Sequence, residues 1–191
     1  MPLKVAFELS DKDLKYFRRR LKEVWEEGQG RKQSEIISAA SDLLTTTRDS
    51  DVPDFVKERM EHLGVMIAML EDEEWKLGEP ERGHVLKAMA YFAEPQDLIP
   101  DTIPGIGFLD DAIMVELVCQ ELQHEIDAFR DFCKFRTAEE KKRGADAYLT
   151  REEWLSARRQ QLQARMRRRR RGRRIRRSSG AGGGRGPLSL F

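Results

Sequence analysis

Residues 94–111 read EPQDLIPDTIPGIGFLDD and interrupt an otherwise helical sequence. Three prolines remove backbone donors and force extended or turn geometry on the residues before them. Asp97 and Asp101 can close turns by accepting local amide hydrogen bonds. Asp110 and Asp111 lie where the next helix begins, a position that favours carboxylates. We therefore predict a stiff helix–loop–helix joint. Its apolar side chains are expected to pack into the core: Leu98, Ile99, Ile103, Ile106 and Leu109.

Apolar residues recur at helical spacing on both sides of the joint, and no strand alternation is persuasive. The predicted helices cover about residues 11–27, with Ser10 as N-cap, then 32–47, 53–75, 80–92 and 109–135. Thr137 with Glu140 and Thr150 with Glu153 match capping boxes that would open two further helices. The predicted fold is all-α: a compact bundle of about five to six helices, followed by a basic disordered tail.

Charge is divided unevenly along the chain. The net charge is +1, yet residues from Arg158 onward contain thirteen Arg and no Asp, Glu or Lys. Residues 1–157 contain 34 acidic and 22 basic residues, a net charge of −12. This asymmetry predicts a polyanionic partner for the basic segment. The alternative is that the segment folds back onto the acidic body.

We predict a cytoplasmic protein, with nucleoid association as a further expectation from the basic segment. The N-terminal stretch lacks a signal-peptide pattern, and no apolar run is long enough for a membrane span. Cys119 and Cys133 lie fourteen residues apart on one predicted helix. They cannot approach each other there, and we expect reduced thiols.

Residues 91–115, YFAEPQDLIPDTIPGIGFLDDAIMV, resemble the YkvA-like family, bacterial domains of unknown function. The resemblance covers about residues 80–120. It implies the helical joint and no agreed activity. The positions that carry it are Tyr91, Phe92, Pro95, Asp97, Leu98, Ile99, Pro100, Asp101, Pro104, Gly107, Phe108, Leu109, Asp110 and Asp111.

The acidic residues of the joint also permit a second interpretation. Together with His124, the oxygens of Glu94, Asp97, Asp101, Asp110 and Asp111 could surround Mg²⁺ or Mn²⁺. However, the spacing matches no known calcium loop, and no nucleophile accompanies it. We therefore predict no metal, no cofactor and no enzymatic activity, with a metal-dependent enzyme of unknown reaction as the alternative.

Residues 158–177 form an Arg-rich segment that we predict to be partly helical. It has no interleaved aromatic residues for base stacking, so it is expected to bind nucleic-acid backbone without sequence preference. Anionic lipid is the rival partner, although the segment has few large apolar side chains. The candidate phosphate-binding residues are Arg165, Arg167, Arg168, Arg169, Arg170, Arg171, Arg173, Arg174, Arg176 and Arg177.

Residues 178–191 are predicted to form a flexible Gly/Ser leash that ends in PLSLF. This pentapeptide resembles the bacterial sliding-clamp-binding motif, whose common form is Gln-Leu-Ser-Leu-Phe. Leu188, Ser189, Leu190 and Phe191 match the motif, whereas Pro187 replaces the Gln. The alternatives are an accidental terminus, a segment folded onto its own body, and a cargo tag for a protein shell.

These patterns predict a non-enzymatic accessory protein of bacterial DNA metabolism. An acidic helical domain, residues 1–157, would serve as the scaffold. The Arg-rich segment would bind nucleic acid, and PLSLF would bind a protein partner, with the sliding clamp as the candidate. A scaffold for other protein partners is a further alternative.

Overall fold

The computed structural model describes residues 8–27, 31–94, 98–103, 106–144 and 150–179, and these ranges contain seven α-helices and no strand. The all-α prediction is therefore confirmed. The helices are α1 (Asp11–Glu27), α2 (Gln33–Asp49), α3 (Asp54–Glu71), α4 (Glu79–Met89), α5 (Leu109–Glu121), α6 (Gln123–Arg143) and α7 (Arg151–Ser179). A 3-10 turn, Ala90–Ala93, continues α4.

Helix α3 lies at the centre of the body and packs against α2, α4, α5 and α6. Its side chains Met60, Leu63 and Met66 are buried. Trp75, just after α3, is fully buried, with its ring centroid 5.1 Å from that of Phe132 on α6. Burial of large apolar and aromatic side chains is the main force that holds such a bundle together.

The first helix begins as its sequence predicts. Ser10 and Asp13 form a reciprocal cap, in which Ser10 N donates to Asp13 Oδ2 at 2.9 Å and Asp13 N donates to Ser10 Oγ at 3.4 Å. The hydrogen bonds from Ser10 hold the pKa of Asp13 below its ordinary value. This cap satisfies backbone donors that have no partner within the helix.

The single helix predicted over residues 109–135 is wrong, because the chain breaks at Leu122 into α5 and α6. Leu122 is fully buried at the junction, and no Gly or Pro marks the break. The short helix predicted after Thr137 is also wrong, since α6 continues to Arg143.

The break at Leu122 places the free thiols of Cys119 and Cys133 on different helices. Burial raises the pKa of the Cys119 thiol to about 12.

Helix α7 begins at Arg151 and ends at Ser179, so the domain boundary predicted at 157/158 falls within a continuous helix. Leu155, Leu162 and Met166 are buried in the core, and α7 packs along α6. The first half of the Arg-rich segment therefore belongs to the packed body.

Helix α7 is about 43 Å long at 1.5 Å per residue. None of the helices in the described ranges carries an apolar stretch that could cross a bilayer. Residues 180–191, which contain most of the predicted leash and PLSLF, lie outside the described residues.

Candidate functional site

Asp110 organises the joint between the 3-10 turn and α5. Its side chain is buried, and its Oδ2 accepts hydrogen bonds from Tyr91 Oη at 3.1 Å, Leu98 N at 2.9 Å and Ile99 N at 3.2 Å. Asp110 lies in the first turn of α5, as predicted, but its carboxylate accepts hydrogen bonds from the loop and not from the amides of its own helix. The carboxylate turns back to the loop, because the loop amides would otherwise lack partners.

A glycine is required at position 107 because the backbone of Asp101 and Ile103 lies close to its Cα atom. A Cβ at this position would lie 2.5 Å from the carbonyl oxygen of Asp101, a contact that no side chain tolerates. The next residue, Phe108, takes a left-handed conformation with φ of 62° while its side chain is buried. The turn is therefore held by packing of the Phe108 ring against the core.

Other predictions for the joint have mixed outcomes. Leu98 packs against the core as expected, whereas Ile103 and Ile106 are exposed, so the prediction that they are buried is wrong. The reason is that the loop turns back at Gly107 through a hydrogen bond from Gly107 N to Ile103 O at 2.9 Å. Pro100 is exposed. The remaining motif residues lie outside the described residues: Pro95, Asp97 and Pro104.

An acidic cavity of about 210 Å³ separates the joint from α2. Asp42, Thr46, Glu94, Asp101 and Asp111 contribute to its lining. Glu94 accepts a hydrogen bond from Arg31 at 3.1 Å, which neutralises part of this charge. In the described part of the chain, no group of three or more His, Cys, Asp or Glu side chains is arranged to hold a metal ion.

A second polar site lies where α7 crosses α4, α5 and α6. We call it the arginine seam, and it consists of four α7 arginines paired with acidic residues of the body. Arg165 pairs with Asp131, and Arg173 Nη2 lies 3.9 Å from Glu121 Oε2. Arg173 Nη1 also donates to the carbonyl oxygen of Gln120 at 2.8 Å. The other two pairs are Arg167 with Glu81 and Arg170 with Glu125.

The Glu81–Arg167 pair is bidentate. Arg167 Nε donates to Glu81 Oε1 at 3.0 Å, and Nη2 donates to Oε2 at 3.3 Å. Glu81 is only 4% exposed. A Cβ at Gly78 would lie 2.8 Å from Glu81 Oε2, so this glycine leaves room for the pair. Glu81 raises the pKa of Arg167, and the guanidinium stays charged.

Glu125 is the most deeply buried acid of the seam, at 0% exposure. Its Oε1 lies 3.2 Å from Arg170 Nη1 and 3.4 Å from His84 Nδ1. Burial raises the pKa of this carboxyl. Hydrogen bonding and charge from His84, together with the charge of Arg170, lower the pKa by more than burial raises it. The net result is a pKa below the ordinary value, so Glu125 is ionised at neutral pH and depends on its partners.

Three further arginines of α7 face solvent: Arg168, Arg169 and Arg171, which we call the exposed set. Within the described residues none of them has a hydrogen bond or an ion pair. The side chains of Arg174, Arg176 and Arg177 lie outside the described part. The expected alternative, in which the basic segment folds onto the acidic body, is therefore confirmed for the four seam arginines and does not extend to the exposed set.

Sequence reasoning missed the acidic half of the seam: Glu81, Glu121, Glu125 and Asp131. The net charge of the body indicated that acids were available, but nothing in local spacing marks these four. His84 is a neighbour of Glu125, a contact that no local sequence pattern indicates. His124, the proposed nitrogen ligand of the joint, lies at the start of α6.

The joint generates the first prediction. Asp110→Ala should lower the free energy of unfolding by about 2–4 kcal/mol, because it leaves three donors without their acceptor. Asp110→Asn keeps one acceptor oxygen and should cost less. Chemical denaturation measures both effects. Added Mg²⁺ should not raise the melting temperature of the wild type. A Mg²⁺-dependent rise that Asp110→Ala abolishes would show that the joint holds a cation.

The second prediction concerns acid stability. Glu125→Gln should lower the free energy of unfolding at pH 7 by roughly 2 kcal/mol or more, since Arg170 loses its buried counterion. The pKa of Glu125 is lower in the folded chain than the ordinary glutamate value of 4.5. Its stabilisation is therefore present above this pH and lost below it. The gap between variant and wild type should narrow as the pH falls below 4.5.

Denaturant titrations at several pH values test this prediction, with Glu61→Gln, an exposed glutamate in the middle of α3, as the matched control. The control should show no such convergence. A gap that stays constant to pH 3 in Glu125→Gln would mean that the carboxylate does not stabilise the fold as an ion.

Comparison with known proteins identifies the joint as the shared part of this chain. A family model described as a protein of unknown function (DUF1232) matches residues 83–117, which include most of α4, the joint and most of α5. The chain is 32% identical over 79 residues to the uncharacterized membrane protein YkvA of Bacillus subtilis strain 168. The match spans 38% of this chain and 73% of that protein.

No solved structure matches the chain. The family description assigns no activity, and nothing in these matches indicates an enzyme family. The family model matches residues 83–117, so the residues of the arginine seam lie outside the part of the chain that this model matches. On the strength of the relative and of the joint that it shares, this chain belongs to the YkvA-like family.

Proposed function

We propose that this protein is a non-enzymatic accessory factor of bacterial DNA metabolism that binds nucleic-acid backbone through α7. The observation that carries the proposal is the division of the α7 arginines. Between Arg165 and Arg173, four arginines are paired with the body, whereas the exposed set presents three guanidinium groups to solvent within one turn of helix. Guanidinium groups bind phosphate oxygens bidentately, and a rigid helix presents them in a fixed array.

The expected binding is strong at low salt and independent of sequence. If the exposed set acts with Arg174, Arg176 and Arg177, the protein contacts about six phosphates. A plot of the logarithm of the association constant against the logarithm of the salt concentration should then have a slope of about −5. Affinity should then fall roughly 10³-fold between 50 and 200 mM salt. No aromatic residue accompanies these arginines on α7 after Trp154, so backbone contact is favoured over base stacking.

The third prediction tests which arginines bind. Replacing Arg168, Arg169 and Arg171 together with Gln should reduce the salt slope for a random DNA duplex by about 3, because about one counterion is released per contact. Fluorescence anisotropy at several salt concentrations measures the slope. The matched control replaces Lys141, Lys142 and Arg143 with Gln, which removes the same charge from the end of α6.

The control variant should retain a slope close to that of the wild type. Equal losses in the two variants would mean that only overall charge matters, and α7 would not be the contact surface. The name of the Bacillus subtilis relative contains the word membrane, and anionic lipid also attracts arginine clusters. Binding to vesicles of anionic lipid with no binding to duplex DNA would therefore overturn the nucleic-acid proposal.

A second contact is proposed for Leu188, Ser189, Leu190 and Phe191, which lie outside the described residues. Their resemblance to the sliding-clamp-binding motif supports a clamp partner, and a basic helix on the same chain would add avidity when the clamp encircles DNA. A peptide of this length is expected to bind at roughly micromolar strength, about −8 kcal/mol. Tethering through α7 would make this affinity sufficient.

The fourth prediction concerns this peptide. Phe191→Ala should weaken binding of residues 184–191 to purified clamp by about 2 kcal/mol or more, because a buried aromatic side chain is the usual anchor of such contacts. Leu190→Ala should cost a similar or smaller amount and Ser189→Ala little. Pro187→Gln should tighten binding by restoring a polar contact. Isothermal titration calorimetry measures each affinity. No binding at hundreds of micromolar, or equal binding by Phe191→Ala, would reject the clamp partner and leave a protein-shell partner to be tested.

A further inference from the structure

An apolar groove of about 210 Å³ lies between α1, α3 and α5. Leu14, Phe55, Ile113 and Leu117 contribute to its lining, and Gln120 lies among the lining residues at the C-terminal end of α5. Phe55 is 43% exposed, an unusual state for an aromatic side chain beside other apolar groups. An open apolar groove of this kind is typical of a binding surface.

We propose that this groove binds Leu188–Phe191 of the same chain. The first support is the path of α7. Arg173 Nη1 donates to the carbonyl oxygen of Gln120 at 2.8 Å, and Gln120 lines the groove. Arg173 of α7 therefore lies at one end of the groove.

The second support is chain length. From Arg173 to Ser179 the helix advances only about 9 Å. The nine residues from Ser179 to Leu188 can reach about 30 Å at most. The groove follows α5 from Leu109 to Gln120, a distance of about 16 Å along the helix axis. The segment can therefore return to Gln120 and lie along the groove.

The third support is chemical fit. Leu188 and Leu190 would project from the same side of an extended peptide, about 7 Å apart. Ile113 and Leu117 line the groove one helical turn apart, about 6 Å along α5. The two leucines would cover Ile113 and Leu117, and the side chain of Phe191, which projects from the other side of the peptide, would face the exposed ring of Phe55 on α3.

The docked segment would compete with any external partner of PLSLF. A short tether gives an effective concentration on the order of 1 mM. If the groove binds the segment with a Kd of about 0.1 mM, the segment is free about a tenth of the time, and an external partner binds about tenfold more weakly. The docking itself depends neither on the clamp nor on nucleic acid.

Photocrosslinking of the full chain tests the proposal. Phe55 is replaced with p-benzoylphenylalanine, a conservative change at an exposed aromatic residue. The matched control places the same group at Tyr16, which is 46% exposed and does not line the groove. Mass spectrometry should map the Phe55 crosslink to residues 187–191 within the monomer, and the Tyr16 control should not give it. Substitution of both Leu190 and Phe191 with Ser should reduce the crosslink to the level of the control.

Three outcomes would overturn the proposal. A crosslink to residues 1–7 would show that the N-terminal segment fills the groove, a crosslinked dimer would show that a second copy does, and no crosslink would leave it empty. A separate measurement distinguishes this inference from the clamp proposal. Ile113→Glu, which places a charge in the groove, should tighten binding of the full chain to the clamp about tenfold. If the intramolecular crosslink forms but the clamp does not bind, the docking stands and the clamp proposal fails.

Discussion

Two carboxylates inside the helical body, those of Glu81 and Glu125, must have positive partners, and α7 supplies them. An ionised side chain at 0% exposure is tolerated only when it is paired. Arg167 and Arg170 provide the pairing, with His84 beside Glu125. These two pairs join α7 to α4 and α6. The buried side chains of Leu155, Leu162 and Met166 then make the same helix part of the core.

Helix α5 is held at both ends by polar contacts of different origin. At its start, Asp110 accepts hydrogen bonds from the loop and from Tyr91, within the region that matches the family. At its end, Arg173 donates a hydrogen bond to the carbonyl oxygen of Gln120 and forms an ion pair with Glu121. The family domain and the arginine helix therefore share one element, and the groove along α5 lies between the two anchor points.

The seam also explains how one helix can combine structural and binding arginines. Releasing Arg170 to a phosphate would leave the buried Glu125 without its counterion, at a cost of several kcal/mol. Binding of a phosphate by Arg168, Arg169 or Arg171 leaves no buried carboxylate without its counterion, because these side chains are solvated and unpaired within the described residues. The fold thus divides a run of consecutive arginines into two groups by burial of their partners. In the proposed function only the exposed group meets the nucleic acid.

The sequence by itself determined the local features: the helical class, the Ser10 cap, the position of the joint, the family and the charge imbalance. Each follows from residues close together in the chain, where spacing and backbone chemistry act directly. The tertiary structure alone decided the break at Leu122, which no local signal marks, and the exposure of Ile103 and Ile106. It also decided which of the arginines find Glu81, Glu125, Asp131 and Glu121. Those pairs join residues more than thirty positions apart, and the sequence cannot specify such contacts until packing of α7 on α6 brings the charges together.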